Sequence, residues 1–162
     1  MNDLIRMIPS ILMIVSPILI SAVGGMICEK AGVVNIALEG LMGIGAFTAA
    51  TVHVLIESST PASVWIAILA GAAAGLVVSI IHAYASISLN ANQVISGTGI
   101  NLLSTGGTIF LAQVIFKMER TQPFKLGMMP GFAGIYPTAW IALAIVLLSW
   151  YLLYRRPFGL RL

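Results

Sequence analysis

Glu29, Lys30 and Glu39, with Asn35 between them, place two of the five acidic and one of the eight basic side chains in one stretch, CEKAGVVNIALEG (Cys28–Gly40). Paired carboxylates do acid and base work when a cleft holds them together. Glu29 and Glu39 are separated by a presumed turn, and no motif draws them into one cleft, which disfavours an enzymatic pair. The stretch also reads as a loop between two membrane helices, or as a break in a helix that faces water. Glu39 is expected inside the second helix. There it either lies near an interface and pairs with Lys30 or a backbone group, or borders a water-filled path, because an acid at mid-span depth costs about 2.5–3.5 kcal/mol on insertion scales.

A second polar set contains no charge. Thr98, Asn101, Thr105 and Thr108 follow one another at spacings of 3, 4 and 3, which puts them on one helical face. Asn90, Asn92 and Gln93 precede them in NANQ. Amides and hydroxyls at this spacing suit an uncharged polar ligand, and they equally join membrane helices to one another. Both readings stay open, and the candidate path residues are Asn35, Glu39, Asn92, Gln93, Thr98, Asn101, Thr105 and Thr108.

Other chemistry finds no support in the motifs. His53 and His82 are lone histidines without further ligands nearby, so no metal is expected. The glycines around Gly40, Gly43 and Gly45 have neither the preceding strand nor the Lys-Ser/Thr of a phosphate loop. A single cysteine, Cys28, excludes an intrachain disulfide and a zinc cluster. No nucleophile triad is present and no cofactor is implied. Gly71-Ala72-Ala73-Ala74-Gly75 matches the GxxxG pattern, for which close helix packing is the default.

The elements that carry these residues follow from composition. Of 162 residues, 59% are hydrophobic and 8% charged, and the mean hydropathy is +1.04. A soluble domain carries about 25% charged residues to cover its surface, so this chain must face lipid. The net charge of +3 is thinly spread, with no basic run to read nucleic acid. Apolar segments over 7–27, 34–56, 64–87, 94–116 and 138–154 each suit a bilayer core, which takes about 17–25 helical residues. Tracts such as ILMIVSPILI do not alternate as barrel strands would. The fold class is therefore all-α: a polytopic bundle of about five transmembrane helices in a single domain over 1–162. The run after MNDLIRM is too long for a signal-peptide core and is read as a retained helix.

Pro9 is expected in the first turn of the first helix, and Pro17 is expected to kink it. Trp140 near one end of the last segment, with Trp150, Tyr151 and Tyr154 near the other, fits two headgroup layers. The connection from Lys117 to Pro137 is broken by Pro123, Pro130 and Pro137 and is expected to be a folded loop. With five alternating spans, Lys30, Arg155, Arg156 and Arg161 fall on one side and Arg6, Lys117, Arg120 and Lys125 on the other, so positive charge alone does not orient the chain.

Three tracts resemble a known family. GGMICEKAGVVNIALEGLMGIGAF (Gly24–Phe47), NANQVISGTGINLL (Asn90–Leu103) and YRRPFGLRL (Tyr154–Leu162) resemble, in order and approximate spacing, signatures of ABC-importer permeases of the nucleoside and simple-sugar group. That group belongs with the ribose-type and branched-chain-amino-acid permeases. The resemblance implies a multi-pass subunit in the cell membrane with no chemistry of its own. It also implies a second permease subunit, cytoplasmic ATP-binding subunits and an extracytoplasmic solute-binding protein. Arg155, Arg156, Pro157, Phe158, Gly159 and Arg161 would then lie at the cytoplasmic, ATPase-facing side, together with Glu29 and Lys30, and the 117–137 loop would lie outside. Asn35 would start the second helix and cap it. Members of the family are considerably longer, so the chain is expected to match the N-terminal half of such a permease. A self-contained oligomeric channel or scaffold is the competing reading, as is a permease for a monosaccharide or a branched-chain amino acid.

Overall fold

The structure, a computed structural model, describes residues 2–125, 127, 131, 134–157 and 159, with side chains from residue 7 onward. The described residues form helices and no strand. The helices are α1 (Asn2–Lys30), α2 (Leu38–Ile56), α3 (Ser63–Ala83), α4 (Gln93–Phe116) and α5 (Pro137–Arg155), and a π-helical turn (Tyr84–Ser88) prolongs α3. Five stretches are long and apolar enough to cross a membrane: Met7–Lys30, Leu38–Ile56, Ser63–Ser88, Gln93–Phe116 and Pro137–Arg155. In each, only 11% of the most apolar window is buried within the chain. Lipid or other protein must therefore cover the rest, and helices tolerate this because their backbone bonds are internal.

The helices fall into two compact units, Met1–Val34 with Met128–Leu162, and Asn35–Gly127. In the first unit α1 and α5 run parallel. Lys30 and Tyr154, at their C-terminal ends, are in contact. Leu12, Val15 and Leu19 share an apolar hollow of about 220 Å³ with Ala139, Trp140 and Leu143. Because the helix already starts at Asn2, Pro9 sits in its interior rather than in its first turn, and α1 continues through both Pro9 and Pro17. Pro17 has no N–H to offer the carbonyl of Met13. One residue earlier, the buried Ser16 hydroxyl donates to the Leu12 carbonyl at 2.5 Å.

The end of α1 explains the charged stretch. Gly32 adopts φ +77°. Its N–H bonds the Glu29 carbonyl at 3.0 Å, and the Val33 N–H bonds that of Cys28 at 3.0 Å. This is a Schellman cap, which glycine allows without a Cβ penalty. The chain then stays irregular until Leu38, so α2 starts four residues later than the apolar pattern from Val34 implied.

In the second unit α3 packs antiparallel on α2. Gly71 lies against Gly45 and Ala49, and Gly75 lies against Leu41. A methyl group on Gly71 would come within 2.6 Å of the Gly45 carbonyl oxygen and 2.9 Å of the Ala49 Cβ, whereas one on Gly75 would meet nothing closer than 3.9 Å. The GxxxG match is thus a packing element, and its first glycine makes the close approach. Helix α4 runs parallel to α2, with Gly97 beside Ile36 and Ala37, Gly40 beside Ile100 and Asn101, and Gly43 beside Ser104. The α3–α4 hairpin is tied by His82 Nδ1 and Ser96 Oγ at 2.9 Å.

Candidate functional site

All eight candidate path residues lie in the second unit, and the structure separates their roles. Asn101 joins two helices. Its Oδ1 accepts the Gly40 N–H at 2.8 Å and its Nδ2 donates to the Ile36 carbonyl at 3.0 Å. Gly40 is the third residue of α2, and Ala37 at the N-cap position makes no side-chain cap. An N-cap side chain ordinarily accepts from the second or third helical N–H. Asn101 supplies that bond from another helix, 61 residues away.

Asn35 does not cap α2 as expected. Its Oδ1 accepts the Ala37 N–H at 3.1 Å in a local turn ahead of the helix. The cause is the late start of α2, which puts Asn35 two residues before the N-cap. Glu39 is exposed in the first turn of α2 rather than deep in the span, where a carboxylate is favoured by the positive end of the helix dipole. Asn92 is the cap of α4, accepting from Val94 N at 2.9 Å and Ile95 N at 3.3 Å. Gln93 follows it as the first helical residue, half-buried.

The threonines keep their hydroxyls on their own helix. Thr98 donates to Val94 at 2.8 Å, Thr105 to Asn101 at 3.0 Å and Thr108 to Ser104 at 2.6 Å. Such back-bonding satisfies the donor and leaves oxygen lone pairs available. Thr98 and Thr105 are exposed, while Asn101 and Thr108 are half-buried beside the buried Gly97, Ser104 and Ala112. The predicted stripe therefore splits into a packing edge toward α2 and a hydroxyl-bearing edge that the chain does not cover.

One cluster escaped the sequence reading. At the end of α2 the buried Glu57 accepts the Lys125 N–H at 2.9 Å. The same carboxylate oxygen lies 3.7 Å from His53 Nε2, and the Phe124 ring meets the His53 ring edge-on at 5.0 Å. The loop after α4 is thereby fastened to the end of α2. The available signal was His53 and Glu57 at i, i+4, a spacing that puts both on one face.

On the tail, Arg155 lies over Trp150 at 5.6 Å and Arg156 over Tyr151 at 5.1 Å. Pro157 is exposed and Gly159 half-buried. Phe158 and Arg161 lie outside the described residues, as does Pro130 in the long loop. No group of three or more His, Cys, Asp or Glu that could hold a metal occurs among the described residues.

Five apolar spans, with polar side chains used for packing or left on an uncovered helix edge, define a polytopic membrane protein. The chain belongs to the family of the permease component of branched-chain amino acid transport systems, whose profile matches residues 7–162. It is 38% identical over 171 residues to the guanosine ABC transporter permease protein NupQ of Bacillus subtilis, covering 96% of this chain and 54% of that protein. It is 31% identical over 179 residues to the nucleoside ABC transporter permease protein NupC of Lactococcus lactis, covering 99% and 56%. A putative glucose ABC transporter permease protein of Haloferax volcanii, TsgC13, is 30% identical over 158 residues, covering 90% and 46%. The chain spans about half the length of these relatives. No solved structure matches it. It is a multi-pass cell-membrane protein of a permease family, and its relatives are transport subunits rather than enzymes.

Proposed function

We propose that the chain forms about half of the membrane subunit of an ATP-driven importer whose solute is a nucleoside. The observation that carries this reading is the 38% identity to the guanosine permease along 96% of the chain. The uncovered hydroxyl edge of α4 supports it. Thr98 and Thr105 offer hydroxyl oxygens on a helix otherwise bordered by Leu102 and Ile109. Hydroxyls exchange hydrogen bonds with sugar and base groups without binding them tightly enough to stop passage.

In this reading a second permease subunit completes the path, cytoplasmic ATP-binding subunits drive it, and an extracytoplasmic solute-binding protein delivers the solute. Lys30, Arg155 and Arg156 share the cytoplasmic side, and the loop held by Glu57 faces outside.

Expression from the native locus with its flanking genes tests the reading. Uptake of labelled guanosine should exceed that of glucose or leucine, and should stop when the partner ATPase is inactivated. Preferred uptake of leucine or glucose overturns the nucleoside assignment. Solute conduction by the purified chain without any ATPase overturns the importer and favours a self-contained channel.

A further inference from the structure

We propose that the shared C-terminal end of α1 and α5 binds the phosphate of an anionic phospholipid, a role independent of which solute the protein carries. Among the described residues three cations gather at this end, Lys30 from α1 and Arg155 and Arg156 from α5. Each lies over an aromatic ring: Lys30 Nζ is 4.0 Å from the centre of Tyr154, Arg155 Cζ 5.6 Å from Trp150 and Arg156 Cζ 5.1 Å from Tyr151. Stacking fixes a cation without neutralising it, so the charge and the N–H donors remain available. Lys30, Tyr154, Arg155 and Arg156 line a recess of about 380 Å³, within the usual range of small-ligand sites, roughly 300–1,000 Å³. Among the described residues the neighbouring acid is Glu29, exposed and adjacent to Lys30, so three positive charges face one negative charge there. Of the last carbonyls of α1, those of Ile27, Cys28 and Glu29 each already accept a backbone N–H, from Ala31, Val33 and Gly32.

Depth selects the ligand. Trp150, Tyr151 and Tyr154 occupy the last turns of an apolar span, the level at which aromatic side chains sit among headgroups. A phosphodiester offers charged acceptor oxygens there, and guanidinium groups match them with paired donors. Basic recesses between membrane helices hold anionic headgroups for this reason. Free phosphate shares that chemistry. However, the rings beside each cation add apolar surface that fits the glycerol and acyl boundary of a lipid.

The test uses Trp150 as the reporter in a Trp65→Phe, Trp140→Phe background. The protein is reconstituted in phosphatidylcholine vesicles containing brominated phosphatidylglycerol, and separately in vesicles whose phosphatidylcholine is brominated. Quenching should show a preference for phosphatidylglycerol of about fivefold or more, what about 1 kcal/mol from one basic residue at an anionic surface gives. The preference should vanish in Lys30→Gln/Arg155→Gln/Arg156→Gln and largely survive in the charge-retaining Arg155→Lys/Arg156→Lys. Equal quenching by both lipids overturns the proposal. So does a preference that persists in the glutamine variant, or one that the lysine variant loses entirely. Added inorganic phosphate at matched ionic strength should leave the preference intact. If it abolishes the preference, the ligand is free phosphate and the lipid assignment fails.

Discussion

Replacing Asn101 by alanine removes both bonds that hold the start of α2 to α4, the 2.8 Å bond from Gly40 N–H and the 3.0 Å bond to the Ile36 carbonyl. Interhelical hydrogen bonds in membranes are worth about 0.6 kcal/mol on average and up to about 1.7 kcal/mol. A lost N-cap costs about 0.5–2 kcal/mol in soluble proteins. Two bonds lost together therefore predict a destabilisation of about 1–3 kcal/mol, a roughly 5- to 150-fold fall in the ratio of folded to unfolded protein. Reversible unfolding in mixed micelles with added SDS measures it. Asn101→Asp should lose at least as much, since it keeps the acceptor for Gly40 but sets a second acceptor against the Ile36 carbonyl. Thr98→Ala is the control. That side chain is exposed and bonds only its own helix, so its effect should stay within about 0.5 kcal/mol. Asn101→Ala with wild-type stability but abolished uptake would show the amide to be a ligand group and refute the tie. Equal losses at Thr98 and Asn101 would refute the division of the stripe.

Gly71→Ala should destabilise by about 1–3 kcal/mol through overpacking, because its methyl would meet the Gly45 carbonyl oxygen at 2.6 Å. Gly75→Ala should cost nothing measurable in the same unfolding assay, and equal losses at both would show that the two glycines pack alike. Glu57→Ala should expose the chain at Lys125 to trypsin about tenfold faster, the effect of losing a charged hydrogen bond worth about 1.5 kcal/mol, and Glu57→Gln should fall between. An unchanged cleavage rate would mean that the loop is held by other contacts. Thr98→Val with Thr105→Val should lower guanosine uptake by about two- to tenfold, the range of hydrogen bonds worth about 0.5–1.5 kcal/mol, at an unchanged level in the membrane. Parallel loss of level and uptake would return these threonines to packing.

The sequence alone determined the class of the protein. Apolar runs and scarce charge are sums over neighbouring residues, and they decide which segments enter lipid whatever those segments touch. They locate five helices, and the aromatic residues at both ends of α5 are legible in the same way. The turn between the first two helices was equally local, since the charged Glu29 and Lys30 close the first apolar run. The family tracts, too, are local stretches of sequence and mark the chain as a permease.

Tertiary structure alone decided what the polar side chains do. Whether Asn101 faces a solute or caps α2 depends on a partner 61 residues away, and the 3.6-residue period carries no information about that partner. The first turn of α2 carries the same lesson, because its third N–H is satisfied by Asn101 of α4 and not by a residue just ahead of the helix. Nor could spacing show that Glu57 reaches the backbone of Lys125 across 68 residues, or that Lys30 and Tyr154 meet at one end of a parallel helix pair. Hydropathy acts on each segment separately, but hydrogen bonds and ring contacts require two segments in a fixed register. That register exists only once the helices have packed.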